Sequence, residues 1–272
     1  MMGDDAGFSR LIDRVSGAVG LTLDAYKDKC IRRRVAVRMR ACGADSYDEY
    51  LGMVEQVPGE LERLKDALTI NVTRFYRNPE TWNALATRFL PDLWQAHQGN
   101  ILAWSAGCAS GDEPYTMAML LAEQCRLAGK EDWLERATIH ATDVDRVSLE
   151  RARAAVYRED AFQDLPQALR ERYTVKDLAG RRLVPAIRDR VQVSELDLSR
   201  ARPPAPRYAL IVCRNVVIYF DRPLQERLFQ LFAERLTDDG ILVLGKVETL
   251  LGPARDLVQL ADVRERIYRR RA

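Results

Sequence analysis

The chain has 272 residues, of which 47% are hydrophobic and 30% are charged, and this ordinary composition excludes a disordered, collagen-like or disulfide-framed protein. A chain of this length predicts one or two domains, which bury enough surface to fold without disulfides or a structural metal. Its 42 basic and 40 acidic residues leave a net charge of only +2, so no chain-wide field attracts nucleic acid or a membrane surface.

Cysteine and histidine usage limits the chemistry further. The five cysteines are scattered without a CxxC pair, and an odd, unpaired set is typical of a reducing compartment, so we expect a cytoplasmic protein. With no histidine close in sequence, Cys108 and Cys213 are expected to be packing residues rather than nucleophiles. The two histidines, His97 and His140, are too few for a His-rich metal site, and we expect no metal. The N-terminus lacks the apolar core of a signal peptide, and no apolar run reaches the roughly 18 residues of a membrane span.

Residues 1–90 predict a helical N-terminal domain. Apolar side chains recur at helical spacing, as at Phe8, Leu11 and Val15, and no strand-like alternation interrupts them. A glycine and a proline divide the segment into three or four short predicted helices. One of these, within residues 27–40, carries seven basic residues and one acid.

Residues 91–272 predict an α/β domain. Helical segments alternate with short apolar strands at residues 101–104, 138–142, 208–212 and 241–244, a pattern typical of βαβ units with a mostly parallel sheet. The carboxyl ends of such strands meet at one edge, where ligands bind. Three β-prone pieces within residues 171–196 interrupt this alternation, and we expect them to form a small antiparallel insertion.

Two candidate binding features follow the first two strands of this domain. The turn Gly107–Gly111 leads into a helix that begins with Asp112 and Glu113. Glycines let a ligand approach the backbone, and the two acids favour an ammonium or sulfonium ligand over a pyrophosphate, although a plain βα turn gives the same pattern. Asp143 ends the second strand, where nucleotide-binding folds use an acid to accept hydrogen bonds from ribose hydroxyls. Capping of the next helix is the alternative.

Two further clusters combine polar and aromatic side chains. Arg214 and Asn215 end a buried strand at the expected ligand edge, and Tyr219 follows. The alternative is that Arg214 pairs with a structural acid and Tyr219 packs in the core. The segment 71–77 (NVTRFYR) concentrates amide, hydroxyl, guanidinium and aromatic groups, for which capping and core packing are the alternative.

With these motifs in this order, the chain resembles the CheR family of chemotaxis receptor methyltransferases. The matching segments are LTINVTRFYRNPETW (68–82), WSAGCASGDEPYTMAMLL (104–121), ATDVD (141–145) and CRNVVIYFD (213–221), with weaker matches at GILVLGKVETL (240–250) and ERIYRR (265–270). Each motif alone is modest, but the ordered set covers nearly the whole chain and is highly specific.

The resemblance implies an S-adenosylmethionine-dependent protein-glutamate O-methyltransferase. Its Rossmann-like methyltransferase domain, with a small antiparallel β-subdomain inserted at residues 171–196, is preceded by an all-helical N-terminal domain. The resemblance places Asp143 at the ribose hydroxyls and Glu113 at the methionine or ribose end of the cofactor. The full set of implied cofactor-binding residues is Asn71, Thr73, Arg77, Gly107, Glu113, Asp143, Asp197, Leu198, Arg214 and Asn215. Asp197 replaces the family's asparagine, and Lys246 and Val247 replace its usual His-Ser.

The resemblance also implies a substrate and a mechanism. Glutamate side chains of the cytoplasmic domain of methyl-accepting chemotaxis receptors would become methyl esters, with S-adenosylhomocysteine as the second product. A glutamate is already ionised at neutral pH, since its ordinary pKa is about 4.3, so no general base is needed. We expect Arg77 and Tyr219 to orient the incoming carboxylate.

The basic helix is the predicted receptor contact. We expect its guanidinium groups to face an acidic helical receptor surface, and the residues concerned are Arg32, Arg33, Arg34 and Arg38. A solvated basic face is the alternative, and nucleic acid is disfavoured because interleaved aromatic residues are missing. We expect a monomer without stable membrane insertion. The alternative functions are methylation of a small molecule or of a non-chemotaxis signalling protein, and a non-catalytic cofactor-binding module.

Overall fold

The computed structural model describes residues 2–19, 23–68, 73–200, 202–205 and 207–271, and the chain divides into two compact units. A helical unit comprises residues 1–70 with 219–224, and an α/β unit comprises residues 71–218 with 225–272. No helix in the described part of the chain is long and apolar enough to cross a membrane.

The helical unit consists of short helices around an apolar core. Its helices are α1 (Met2–Val19), α2 (Asp28–Cys42), α3 (Tyr47–Gln56) and α4 (Glu60–Leu68), with a 3₁₀ turn at Leu23–Ala25. Gly43 ends α2 in the left-handed region at φ +75°, and the Ser46 hydroxyl caps α3 by accepting a hydrogen bond from Glu49 N at 3.2 Å. Leu11, Val35 and Leu64 are fully buried, as their helical spacing predicts.

The segment 219–224 completes this unit although it lies far along the chain. Lys27 N donates a hydrogen bond to Tyr219 O at 2.8 Å, and the rings of Tyr26 and Phe220 meet edge to face at 4.9 Å between centroids. The chain therefore leaves the α/β unit after Ile218 and returns to it at Gln225.

The α/β unit is built on a mostly parallel sheet. In chain order its elements are α5 (Pro79–Ala84), a π-helix (Leu85–Phe89), α6 (Leu90–Ala96), β1 (Leu102–Ala106), α7 (Asp112–Ala128), β2 (Thr138–Asp143), α8 (Arg146–Ala154), β3 (Val156–Tyr157), α9 (Gln167–Tyr173), β4 (Thr174–Asp177), β5 (Gly180–Leu183), α10 (Pro185–Arg188), β6 (Val191–Glu195), β7 (Tyr208–Cys213), α11 (Arg222–Glu234), β8 (Leu236–Leu244), α12 (Ala254–Leu257), β9 (Val258–Asp262) and β10 (Ile267–Arg270). The main sheet has the order β6-β2-β1-β7-β8-β10-β9. The first five strands in this order run parallel, and β10 is antiparallel to both its neighbours. The carboxyl ends of the parallel strands thus meet at one rim, as predicted.

The division between the units lies at residue 70, whereas the sequence analysis placed the domain boundary near residue 90. The difference arises because α5, the π-helix and α6 belong to the core of the α/β unit. Trp82, Phe89 and Trp94 are buried in one core with strand residues such as Ile139 and Leu210. Helical periodicity predicts the helices but does not identify the core that they join.

The expected insertion at residues 171–196 is wrong in its extent. A small antiparallel sheet exists with the order β3-β5-β4, but its first strand, Val156–Tyr157, lies outside that range. The last β-prone piece, Val191–Glu195, instead pairs in parallel with β2 and forms the edge of the main sheet. Half-buried alternation fits either position, so the sequence pattern did not distinguish them.

Candidate functional site

The β1–α7 turn is shaped by two glycines that no other residue could replace without a clash. Gly107 has φ +84°, and a Cβ there would lie 2.5 Å from Val216 Cγ2. Gly111 has φ +93°, and a Cβ there would lie 2.9 Å from Ala152 Cβ and from Tyr157 Oη. The glycines therefore let the turn pack tightly between the β7 end and α8.

Asp143 ties this turn to the end of β2. Its Oδ2 accepts a hydrogen bond from Ala109 N at 2.8 Å, and its Oδ1 accepts one from Asp145 N at 3.0 Å. Burial raises the pKa of the Asp143 carboxyl, while the backbone N–H groups act in the opposite direction. Asp145, not Asp143, caps α8, because its carboxylate accepts from Val147 N and Ser148 N. The capping alternative for Asp143 is therefore wrong.

Glu113 is a buried acid at the start of α7. Its side chain is 11% exposed, and its carboxylate accepts a hydrogen bond from Ser105 Oγ at 2.9 Å and lies 3.7 Å from Arg214 Nη1. Burial raises the pKa of Glu113 to about 7, against the opposing charges of Arg214 and Arg77. A buried carboxylate at this rim suits a cationic ligand.

Arg214 joins the β7 end to the segment after residue 72. Its Nη2 donates hydrogen bonds to Arg77 O and to Asn78 Oδ1, both at 2.8 Å, and its guanidinium lies 5.0 Å from the centre of the Trp82 ring. Arg214 is buried, and its ion pair with Glu113 corresponds to the structural alternative considered for it. Arg214 therefore holds residues 77 and 78 and the start of α7 close to the end of β7.

The segment Thr73–Asn78 is held on the α/β unit in an unusual conformation. Tyr76 and Asn78 have φ +60° and +61°, in the left-handed region that non-glycine residues rarely occupy. Tyr76 N donates a hydrogen bond to Thr116 Oγ1 at 3.1 Å. Thr73 is half-buried, and Asn71, which the resemblance assigns to the cofactor, lies outside the described residues. The nearby Arg77 charge acts on both Glu113 and Arg214, which places it with this cluster.

The residues after β6 reach the same rim. Leu196 N donates a hydrogen bond to Asp143 O at 2.8 Å, and Asp197 Oδ1 accepts one from Ser199 N at 2.8 Å. Leu198 is buried. Asp197 and Leu198 thus follow directly on a residue bonded to Asp143.

Glu248, to which the sequence analysis gave no role, binds the backbone beside the predicted site residue Asn215. Its carboxylate accepts hydrogen bonds from backbone N–H groups at Asn215, Val216, Val217, Ile218 and Gly245. Asn215 itself has φ +61°. The signal available in the sequence was an acid within the weakly matching motif at residues 240–250, with no indication of its partners.

The two cysteines near the rim are packing residues, as expected. Cys108 and Cys213 are buried, and burial raises the pKa of both thiols well above the ordinary value. Protonated thiols are poor nucleophiles.

The basic helix α2 presents fewer of its predicted contact residues than the sequence suggested. Arg34 is 6% exposed, donates a hydrogen bond to Leu68 O and lies over the Tyr219 ring, so the expectation that it faces a partner is wrong. Arg38 is engaged in an ion pair with the buried Glu60 at 2.7 Å. These arginines stabilise the helical unit, because one face of any amphipathic helix must point inward.

The outer face of α2 carries different residues. Arg32 pairs with Asp28 at 2.7 Å and with Asp5 at 2.8 Å, which occupies its guanidinium. Arg33 is exposed and shares a helix face with three other exposed residues, Lys29, Val37 and Arg40.

Both units match sequence models of one family. Residues 6–69 match the CheR methyltransferase all-alpha domain, and residues 71–267 match the CheR methyltransferase SAM binding domain. The chain is 30% identical to the chemotaxis protein methyltransferase of Klebsiella aerogenes over 93% of this chain and 86% of that protein. It is 31% identical to that of Listeria monocytogenes, over 91% of this chain and 90% of the relative, and 31% identical to that of Borreliella burgdorferi, over 90% and 88%.

The fold, the rim and these matches define an S-adenosylmethionine-dependent methyltransferase. The chain belongs to the CheR family, with its all-helical domain followed by the cofactor-binding domain. The family, the fold class and the cofactor predicted from the sequence are thereby confirmed.

Proposed function

We propose that this enzyme transfers the methyl group of S-adenosylmethionine to glutamate carboxylates in the cytoplasmic domain of chemotaxis receptors. The products are glutamate methyl esters and S-adenosylhomocysteine. The observation that carries this proposal is the match of both family domains in order, along a chain whose relatives are named chemotaxis protein methyltransferases. The named relatives support a chemotaxis substrate over the alternative signalling proteins.

The residues at the rim fit a cationic nucleoside cofactor. In our proposal, Asp143 accepts hydrogen bonds from the ribose hydroxyls with the lone pairs that Ala109 and Asp145 leave available. Glu113 receives the ammonium group of the methionine part, which suits its buried carboxylate. Gly107 lets the cofactor approach the backbone. The remaining proposed cofactor-binding residues are Asn71, Thr73, Arg77, Asp197, Leu198, Arg214 and Asn215.

The cofactor supplies an activated methyl group, and the protein supplies position and a dry environment. The attacking glutamate needs no base, since it is ionised at neutral pH. Both reactants lose charge in the transition state, so partial desolvation and alignment of the carboxylate favour the reaction. We propose Arg77 and Tyr219 as the orienting residues. The part proposed for Arg77 is supported by the action of its charge on Glu113 and Arg214. An over-strong ion pair with Arg77 would stabilise the ground state more than the transition state.

The receptor contact is proposed for the exposed face of α2. Lys29, Arg33 and Arg40 present positive charge along one side of the helix, with Val37 51% exposed between them. Such a stripe fits an acidic helical surface and accelerates encounter by electrostatic steering. The proposed set therefore keeps Arg33 from the sequence analysis. It leaves out Arg34, which is buried, and Arg32 and Arg38, which are engaged in ion pairs.

Methyl-label transfer tests the proposal. The enzyme, labelled S-adenosylmethionine and a receptor cytoplasmic fragment should give labelled fragment whose label is released by base as methanol, as an ester requires. A fragment with its accepting glutamates replaced by alanine should remain unlabelled. Cofactor binding without labelling of any receptor fragment would contradict the proposal and favour another substrate or a non-catalytic module.

A further inference from the structure

Glu248 is bound to the backbone in a way that links it to the cofactor rim. Its side chain is 3% exposed. Oε2 accepts hydrogen bonds from Gly245 N at 2.6 Å and Asn215 N at 3.0 Å, and Oε1 accepts from Val216 N at 3.0 Å and Val217 N at 2.9 Å. Ile218 N lies at 3.4 Å from Oε1. One carboxylate thus satisfies five N–H groups of the chain.

These hydrogen bonds replace the sheet ladder where the chain leaves β7. Residues 215–218 follow the strand, and Asn215 adopts φ +61° there, a left-handed conformation that few residues other than glycine and asparagine adopt. A buried N–H without an acceptor destabilises the conformation that holds it. The course of this segment therefore depends on an acceptor at the Glu248 position.

Two close contacts couple the position of the Glu248 carboxylate to the rest of the rim. Val216 packs so tightly on the β1–α7 turn that a Cβ at Gly107 would lie 2.5 Å from its Cγ2. On the other side, a Cβ at Gly245 would lie 2.7 Å from Glu248 Oε2 and 3.0 Å from Asn215 N. A shift of the carboxylate would therefore move Asn215 and Val216, and with Val216 the glycine turn.

We propose that Glu248 is a positioning residue for the cofactor: its carboxylate holds Asn215 and, through Val216, the Gly107 turn in the arrangement that binds S-adenosylmethionine. The inference rests on the proposed cofactor site, in which Asn215 and Gly107 contact the ligand. It adds a residue that acts through the backbone and touches neither cofactor nor substrate. The type of residue matters, because all five partners of Glu248 are N–H donors and only an ionised carboxylate offers acceptors on both oxygens.

The Glu248→Gln substitution tests the proposal. The glutamine oxygen still accepts from one side, but its amide N–H₂ faces N–H donors on the other, so at least two hydrogen bonds are lost. We expect the dissociation constant of S-adenosylhomocysteine, measured by calorimetry, to rise at least tenfold. Glu248→Asp keeps the carboxylate but shortens the side chain, and we expect an intermediate affinity.

A matched substitution separates positioning from general destabilisation. Glu123 is a largely buried carboxylate of the same unit, on α7, and its Oε1 accepts hydrogen bonds from Tyr173 Oη and Arg172 Nη1, both at 2.6 Å. Glu123→Gln is expected to lower the melting temperature but to leave S-adenosylhomocysteine affinity within about twofold. An equal loss of affinity in both glutamine variants at equal loss of melting temperature would overturn the proposal.

The other possible results with the Glu248 variants and with Asn215→Ala also test the positioning role. Unchanged affinity in Glu248→Gln overturns the inference, and if that variant does not fold, unchanged affinity in Glu248→Asp does so. Asn215→Ala is measured in parallel. Weakened binding in Asn215→Ala with normal binding in Glu248→Gln refutes the positioning role alone, whereas normal binding in both also refutes the proposed contact of Asn215 with the cofactor.

Discussion

Glu113 carries a charge that should control cofactor affinity near neutral pH. Burial raises its pKa to about 7, so it is protonated below that pH and ionised above it. If it receives the cofactor ammonium, only the ionised form binds well. The dissociation constant of S-adenosylhomocysteine should therefore rise as the pH falls from 8 to 6, approaching about tenfold per pH unit below the pKa.

Calorimetric titration across this range measures the effect. Glu113→Gln removes the titrating group, and we expect weaker binding at pH 8 with a flatter pH dependence. A wild-type affinity that is constant from pH 6 to 8 would contradict the role of Glu113. Asp112, with its pKa raised by burial to about 6, contributes only toward the acid end of the range.

Arg77 should affect turnover more than cofactor affinity. Its backbone carbonyl, which accepts hydrogen bonds from Trp82 Nε1 and Arg214 Nη2, is retained in Arg77→Ala, so the wall of the site stays in place. Loss of the guanidinium removes the group that orients the attacking carboxylate, and misalignment of this kind costs about 100-fold. We expect kcat to fall by about that factor while S-adenosylhomocysteine binds within about tenfold of wild type.

Arg74→Ala is the control for that prediction. Arg74 lies in the same segment, but its guanidinium pairs with Asp164 at 2.7 Å and is partly exposed. Its loss should leave kcat within a few-fold of wild type, as is typical of a surface ion pair. Near-normal methylation by Arg77→Ala would remove Arg77 from the mechanism.

The proposed site residues that the sequence could locate are those whose place follows from the strand pattern. Asp143 ends β2, Arg214 follows β7, and Glu113 lies in the first turn of the helix after β1, all at the edge where ligands of parallel sheets bind. Glu248 could not be predicted this way, since four of its five partners are backbone groups 30 to 33 residues earlier in the chain. Arg34 was misjudged because a run of arginines does not tell which one turns inward.

At the level of elements, α2 is the proposed docking helix, and the structure determines which of its charges can be tested. Arg38 is unsuitable, because its reversal would leave the buried Glu60 facing another carboxylate. Arg33→Glu with Arg40→Glu reverses two exposed charges instead. We expect the KM for the receptor fragment to rise about tenfold at low salt, with unchanged affinity for S-adenosylhomocysteine.

A double reversal elsewhere gives the control for charge alone. Arg136→Glu with Arg264→Glu changes the net charge equally, at exposed positions of the α/β unit. Its receptor KM should stay within about twofold of wild type. If both double variants show the same KM, the docking role of α2 is refuted.

Whether a segment forms a helix or a strand was predictable where its apolar pattern was long. Which other elements it packs or pairs with was not predictable. The strands of the parallel sheet follow from alternation with helices, and the helices of residues 1–68 follow from their apolar periodicity. α5 and α6 pack in the core of the sheet, and Val191–Glu195 pairs at its edge. Both arrangements depend on contacts with segments distant in the chain. Local sequence does not contain that information.

For the whole molecule, the central claim is that the nucleoside cofactor binds at the carboxyl rim of the α/β unit, with Asp143 at its ribose. The most direct measurement is calorimetric titration of S-adenosylhomocysteine into the wild-type chain and into Asp143→Ala, beside Asp132→Ala as an exposed acid away from the rim. Loss of charge-assisted hydrogen bonds worth about 1.5–3 kcal/mol predicts a dissociation constant raised about 10- to 100-fold in Asp143→Ala and unchanged in Asp132→Ala. Equal affinity in all three proteins, or no binding to the wild type, would contradict the account.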